Sequence, residues 1–269
     1  MLKNLAGLWR HRALASVLVS RELKARYRGS VLGFFWSLLN PLLMLAVYTV
    51  VFAFIFPGRS PSTSPYALFL FTGLLPWNWL AGGLTDAANS LTTHGALLRK
   101  ILFPAEVLPV VAVAAQGVHF LLALPVLAVG LGLGALGVFG APVPLGLPAA
   151  QTVPLVLLEG VFIAGLGLFL AALTVHFRDV KDILSTTLSL WFFATPVLYD
   201  LADIRSERLR AALLCNPATP FFDAWRDALF RATWIAPARW GILAAIAGAA
   251  FLVGYAFFDR LRDSFPEAV

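Results

Sequence analysis

The chain has 269 residues, of which 60% are hydrophobic and 13% charged, and its formal net charge at pH 7 is +6. Soluble domains carry about 25% charged residues, so this composition excludes an ordinary soluble protein and indicates an integral membrane protein. A basic excess can indicate nucleic-acid binding, but here most Lys and Arg flank apolar runs, which is typical of membrane topology and of contact with anionic lipid. We therefore expect membrane lipids and no nucleic acid as partners.

The first 32 residues combine regularly spaced apolar side chains with seven Lys and Arg residues. A basic amphipathic helix of this kind belongs in the headgroup region of a bilayer. The sequence predicts a cytoplasmic interface helix over 1–32, with a simple topology-setting charge cluster as the alternative.

Six apolar segments follow, and each is long enough for a membrane span or nearly so. About 20 apolar residues at a rise of 1.5 Å cross a hydrocarbon core of roughly 30 Å. The predicted fold class is an all-α integral membrane protein with one domain over 1–269, a membrane region over 33–258 and a tail over 259–269. The predicted spans are 33–56, 66–87, a segment within 106–138, 150–175, 184–199 and 239–258.

Basic residues are concentrated on one side of these spans. The two short loops assigned to the outer side, 57–65 and 139–149, together hold one basic residue, Arg59. Because short cytoplasmic loops carry the excess of Lys and Arg, both termini are predicted to be cytoplasmic.

Three connections between the spans contain a predicted helix or a group of charged residues. Residues 88–105 contain a short helix from Gly95 to Phe103, and 176–183 form a charged loop. The long connection 200–238 is too apolar for a free linker, so we expect short re-entrant helices at the membrane edge.

Some residues within the spans allow two interpretations. Glu159 has two candidate places: either it lies on a proton or substrate path, or it lies near the outer surface, where a carboxylate avoids the cost of a mid-membrane position. Trp77 and Trp79 are interfacial anchors or line a cavity.

Motifs for chemistry are missing from the sequence. It contains no GxxxxGK[ST] phosphate loop, HExxH or GxSxG motif, and neither its single cysteine, Cys215, nor its four scattered histidines suggest a metal site. We expect no catalytic residue, no metal and no cofactor in this chain, and an energy supply from a partner if it transports a substrate.

Several segments, taken together and in order, resemble the ABC-2 type permeases that export polysaccharides. They are RELKARYRGSVLGFFWSLLNPLLMLAVYTVVFAFIF (21–56), GLLPWNWL (73–80), LLRKILFPAEVLP (97–109), HFRDV (176–180) and NPATPFFDAWRDALF (216–230).

The resemblance implies a homodimer in the bacterial inner membrane that works with two copies of a separate ATPase subunit, which binds ATP and Mg. It also implies a coupling surface for that ATPase, formed by Leu97, Leu98, Arg99, Lys100, Ile101 and Phe103 with Arg178 and Asp179.

The same resemblance places the N-terminal helix at the inner pore entrance, where cations could attract the pyrophosphate of an undecaprenyl-linked glycan. The entrance residues would be Lys24, Arg26, Tyr27 and Arg28, and the outer gate would include Phe221, Phe222 and Trp225.

Aromatic rings can stack on the apolar C–H faces of sugars and still let them slide. The candidates for channel lining are Phe34, Phe35, Trp36, Trp191, Phe192 and Phe193, although aromatic side chains in membrane helices also serve packing and interface anchoring.

The leading hypothesis is export of a lipid-linked, O-antigen-type polysaccharide. The alternatives are an ABC-2 permease for teichoic acid, or for a small lipid or drug. A membrane-embedded transferase is a different class, for which only Glu159 would be eligible as a catalytic group.

Overall fold

The structure is a computed structural model that describes residues 11–55, 61–95 and 104–265, without the side chains of Phe34, Ala53 and Pro61. In these ranges the chain forms helices and turns and no strand, which confirms the predicted all-α class. The α-helices are α1 (Arg12–Arg26), α2 (Trp36–Val50), α3 (Tyr66–Thr93), α4 (Val107–Ala135), α5 (Thr152–His176), α6 (Val180–Ala194), α7 (Glu207–Leu214), α8 (Thr219–Leu229) and α9 (Pro237–Leu261).

Four helical segments in the described ranges are long and apolar enough to cross a membrane. They are Tyr66–Thr93, Val107–Ala135, Leu147–His176 and Pro237–Ser264. They correspond to the second, third, fourth and sixth predicted spans, and α3 continues six residues beyond the predicted end at residue 87.

The other two predicted spans are shorter α-helices. α2 has 15 residues, preceded by a 3-10 turn (Gly33–Phe35) and followed by a π-helical turn (Val51–Ile55). α6 also has 15 residues, about 22 Å at the helical rise, which is less than a bilayer core. The count of six spans thus remains a prediction. Four of the six predicted spans correspond to a long apolar helix.

The boundaries predicted for the fifth span are wrong at both ends. α6 begins at Val180, inside the segment predicted as a charged loop, and ends at Ala194 rather than at 199. The early end has a local cause, because Thr195 precedes Pro196 and is extended (φ −106°, ψ 139°), as the residue before a proline prefers.

α3 is the centre of the bundle. It packs against α4 and α5 along most of its length, and against α2, α6 and α8 over shorter stretches. Its first half is almost entirely buried, including both Trp77 and Trp79. The two tryptophans therefore lie inside the protein, and Trp79 donates its indole N–H to Val113 O at 3.1 Å.

α5 and α9 approach closely where two glycines meet. A Cβ added to Gly254 would overlap Gly165 O, so the backbones touch there. Small residues allow such contacts between membrane helices.

The long connection after α6 contains two short helices, as its composition predicts. α7 has no buried residue, whereas most of α8 is buried against the bundle. Whether these helices re-enter a bilayer remains a prediction.

The N-terminal helix predicted over 1–32 is confirmed as a helix only over Arg12–Arg26. Residues 27–32 form turns and bends, and residues 1–10 lie outside the described part. The helix α1 contains no buried residue and lies along α4. Its position on a membrane surface remains a prediction.

Candidate functional site

One face of α3 stays open although the rest of the helix is buried. Asn78 and Thr85 are exposed, and Asn89 and Thr92 are partly exposed. These residues recur at intervals of seven, four and three, so they lie on one face of the helix. We call this face the polar stripe of α3, and its neighbours Leu74 and Ala81 are also only partly buried.

Asn78 and Thr85 of the polar stripe lie on the floor of a groove of about 580 Å³ whose walls are α2 and α6. Its lining combines aromatic rings with small polar groups and one cation. The aromatic residues are Tyr48, Trp77, Phe192 and Phe193, and the polar residues are Asn78, Thr85, Lys181, Ser185 and Ser189.

Trp77 organises the aromatic end of the groove. Its ring centroid lies 5.3 Å from that of Phe192 and 6.1 Å from that of Trp191, both in edge-to-face geometry. Trp191 is held from the other side, because its indole N–H donates to Asn216 Oδ1 at 2.8 Å. Phe193 is 65% exposed. The groove thus offers rigid aromatic edges and one open ring, which can stack on sugar rings.

A second cavity of about 270 Å³ lies where α1, α2, α3 and α4 meet. We call it the entrance cavity. Its polar lining consists of Arg26, Tyr27, Ser37, Asn40, Asn78, Gln116 and His119.

Two small networks fix the walls of the entrance cavity. Arg26 forms an ion pair with Asp86, whose carboxylate also accepts a hydrogen bond from Gln116 Nε2 at 2.7 Å. The Tyr27 hydroxyl lies 2.6 Å from Ser37 Oγ and 3.2 Å from His119 Nδ1. The end of α1 is thereby attached to α2, α3 and α4 by polar contacts.

Asn78 borders both cavities. It is exposed between the buried Trp77 and Trp79, and its side chain makes no hydrogen bond to another residue in the described ranges. Its amide is therefore available to a ligand at the junction of the groove and the entrance cavity.

The structure brings some of the predicted site residues together and separates others. Arg26, Tyr27 and Trp36 line the entrance cavity, and Phe192 and Phe193 line the groove. Lys24, Arg28 and Phe35 are exposed and do not line these two cavities, and the Phe34 side chain lies outside the described part.

The predicted coupling segment, Leu97 to Phe103, lies outside the described residues. Its predicted neighbours Arg178 and Asp179 are exposed in the turn between α5 and α6. This turn lies beside the end of α3, because Lys181 Nζ donates to Thr92 Oγ1 at 3.3 Å. The chain therefore enters and leaves the undescribed segment 96–103 on the side of the bundle where this turn lies.

The three residues predicted for an outer gate belong to the core in this structure. Phe221 stacks on Phe162 with ring centroids 5.1 Å apart, and Phe222 lies 6.0 Å from Trp77. Trp225 donates its indole N–H to Glu159 Oε2 at 2.7 Å. All three are at most 1% exposed, and their role as a gate stays a prediction.

Neither interpretation of Glu159 from the sequence included a partner within the protein. Its side chain is fully buried, and it does not line the groove or the entrance cavity. Its contact with Trp225 connects α5 to α8.

α8 is fixed further by arginines. Arg226 donates to Tyr199 O at 2.8 Å and to Val197 O at 2.9 Å, and its guanidinium lies 3.9 Å from the centroid of the Phe69 ring. These contacts hold the turn after α6 against α3 and α8.

Five charged residues form an ion cluster beside α8. Arg231 contacts three aspartates at 2.5–2.9 Å, and Arg239 pairs with two of the same aspartates. Burial alone would raise the pKa of Asp200, but hydrogen bonds from the Ala202 N–H and the Arg231 guanidinium hold it below its ordinary value of 3.8. The cluster consists of Asp200, Asp223, Asp227, Arg231 and Arg239 and ties α8 to the start of α9.

Sequence reasoning missed the polar half of the groove. Lys181, Ser185 and Ser189 follow one another at intervals of four on α6, which is a helical face, so their pattern could have been noticed. For Asn78 the sequence signal was a polar amide side chain between two tryptophans in an apolar span. Its exposure could not be foreseen, because that depends on which face of α3 is covered.

Comparison with known proteins gives the family. Residues 13–230 match the ABC-2 type transporter family. The chain belongs to this family. The permease is 35% identical, over the full length of both chains, to an O-antigen export system permease protein RfbA of Myxococcus xanthus. It is also 31% identical to proteins of the same name from Klebsiella pneumoniae, with 94% of each chain covered.

Proposed function

We propose that this permease is the membrane subunit of an ATP-driven exporter of lipid-linked polysaccharide, an O-antigen-type glycan carried on undecaprenyl pyrophosphate. It works as a homodimer with two copies of a separate ATPase subunit, in the bacterial inner membrane. It has six spans and two cytoplasmic termini. The names of the relatives support the glycan, since each is called an O-antigen export permease.

The lining of the groove is the single observation that best supports a glycan substrate. A polysaccharide must pass without being held, so its path needs many weak contacts. Aromatic rings can stack on the C–H faces of sugars, while the Ser, Thr and Asn side chains of the groove can form hydrogen bonds with sugar hydroxyls. A permease for a drug would favour a mostly apolar pocket.

The open side of the groove supports a dimer. In α6 only Leu184 and Leu188 are buried, and polar residues such as Thr186 and Thr187 are exposed. Hydroxyl and charged side chains on a helix this exposed are costly against lipid. A second copy facing the groove would turn it into a channel between two subunits.

The missing nucleotide motif supports a separate ATPase. The sequence has no phosphate-binding loop. Leu97, Leu98, Arg99, Lys100, Ile101 and Phe103, with Arg178 and Asp179, remain the proposed coupling surface. Lys24, Arg26, Tyr27 and Arg28 remain the proposed substrate entrance.

Loss of the permease tests this proposal. In a strain that lacks it, the lipid-linked glycan should accumulate on the cytoplasmic side while glycan synthesis continues, and the wild-type chain should restore surface glycan. The double variant Arg99→Glu with Lys100→Glu should insert and bind substrate but fail to export. Normal surface glycan in the deletion strain would contradict the proposed function, whereas normal export by the double variant would contradict only the coupling assignment.

A further inference from the structure

Lys181 lies at one end of the groove, and no described carboxylate forms an ion pair with it. Among the described residues its side chain hydrogen-bonds to the Thr92 hydroxyl alone, at 3.3 Å, a long contact for an ammonium group. The cation of the entrance cavity and the two arginines of the ion cluster differ in this respect. Arg26, Arg231 and Arg239 each pair with at least one aspartate.

Every other described residue that lines the groove is uncharged. A single cation in a concave site with low-dielectric walls attracts anions more strongly than one on an open surface. The groove therefore favours a substrate with one anionic region.

The polarity of the groove changes along α6. From Lys181 the lining passes through Ser185 and Ser189 to Phe192 and Phe193. Lys181 and Phe193 are separated by about 18 Å along the helix axis. An amphiphile with its phosphate at one end and its sugar rings further along would match this order.

We propose that Lys181 binds the phosphate group of the substrate while the sugar rings contact the aromatic end of the groove. This inference rests on the proposed function, and it names a cation that the resemblance to polysaccharide permeases does not. Lysine suits the role as a mobile point charge for phosphate. Arg26 in the entrance cavity is less suited, because Asp86 already compensates its charge.

The test measures occupancy of the groove rather than export. Cys215 is replaced by Ser, and Ser189→Cys then places a thiol in the groove, where maleimide alkylation is followed in the full chain in phosphatidylcholine nanodiscs. Inorganic pyrophosphate, farnesyl diphosphate and farnesol are the probes, and the reported quantity is the concentration that halves the alkylation rate.

We expect farnesyl diphosphate to protect the thiol, and Lys181→Gln to raise the half-protecting concentration about tenfold or more, as loss of a hydrogen bond to a charged group implies. Lys181→Arg should keep protection. Arg205→Gln, which removes an exposed cation outside the groove, should change nothing. Protection by pyrophosphate with the same dependence on Lys181 would identify a free phosphate group as sufficient. Protection by farnesyl diphosphate but not by pyrophosphate would show that the isoprenoid chain is needed to cover position 189, about 12 Å from Lys181 along α6.

Equal half-protecting concentrations for the parent and Lys181→Gln would overturn the inference, as would protection by farnesol as good as that by its diphosphate. Either result would leave glycan export untouched if deletion of the permease still traps the glycan inside. Conversely, Lys181-dependent protection together with normal surface glycan in the deletion strain would keep the phosphate site and refute the export function.

Discussion

Trp225 donates its indole N–H to Glu159 Oε2 at 2.7 Å, and both side chains are fully buried. The bond joins the short helix α8 to the long helix α5, inside the bundle. The other carboxyl oxygen of Glu159 has no hydrogen-bond partner among the described residues. The carboxyl group therefore serves to position α8, and we do not assign it to catalysis or to a substrate path.

Two substitutions of Glu159 should distinguish the effect of its hydrogen bond from the effect of its ionisable carboxyl group. Glu159→Gln keeps an acceptor for the indole, so export should remain largely intact. Glu159→Leu leaves a buried N–H without a partner, which costs about 1–3 kcal/mol and should lower the unfolding temperature by a few degrees. Trp225→Phe combined with Glu159→Leu should cost less than the two single changes together. Additive costs, or loss of export by a well-expressed Glu159→Gln variant, would contradict the positioning role.

Arg226 should not tolerate lysine. Its guanidinium donates to Val197 O and Tyr199 O from two nitrogens and stacks on Phe69. A lysine ammonium cannot reproduce the planar fork, so one buried carbonyl should lose its donor at a cost of about 1–3 kcal/mol. Thermal unfolding of Arg226→Lys measures this. Arg210→Lys is the control, because Arg210 also donates to a carbonyl, Ile204 O, but is exposed. Equal losses of unfolding temperature in the two variants would contradict the prediction that the buried carbonyl makes the loss at Arg226 larger.

The ion cluster predicts a loss of stability in acid. Because the pKa of Asp200 is lowered on folding, its contribution is fully present above the unfolded value near 3.8 and is lost as pH falls through the folded value. Asp200→Asn should therefore be less stable than wild type at pH 7, and the difference should shrink below about pH 4. Unfolding temperatures from pH 7 to pH 3 check this, and a difference that is independent of pH would contradict it.

The contact between α5 and α9 predicts a sharp difference between two glycines on α9. Gly254→Ala puts a methyl group in collision with Gly165 O, so the helices must move apart, whereas Gly248→Ala meets no atom within 4 Å. The first change should cost about 1–3 kcal/mol by overpacking, and the second should be close to neutral. Comparable unfolding temperatures for the two variants would show that α5 and α9 do not touch at Gly165.

Long apolar runs were sufficient to predict the main helices. α3, α4, α5 and α9 follow from hydropathy alone, because a bilayer requires both length and apolarity. The predicted end of α6 is too late, because the apolar run continues past Thr195. Pro196 ends the helix before Thr195, at Ala194.

The site was harder to predict than the fold. Phe192 and Phe193 could be proposed as lining residues because aromatic rings can stack on sugars, although the sequence alone did not separate lining from packing or interface anchoring. Asn78 could not, because its position on the open face of a buried helix depends on tertiary packing. The helical spacing of Lys181, Ser185 and Ser189 is visible in the sequence, but only the structure shows that Lys181 lines the groove and has no described carboxylate partner. The partner of Glu159 lies 66 residues away in the chain, so no local pattern could reveal it.

We propose above all that the groove on α3 forms part of the glycan path. Phe193 and Leu190 of α6 are 65% and 68% exposed, but only Phe193 lines the groove. A photo-crosslinking amino acid can replace each of them in turn in cells that synthesise the glycan. The groove predicts covalent capture of glycan at position 193 and little or none at position 190. Equal capture at both positions, or capture at position 190 alone, would contradict it.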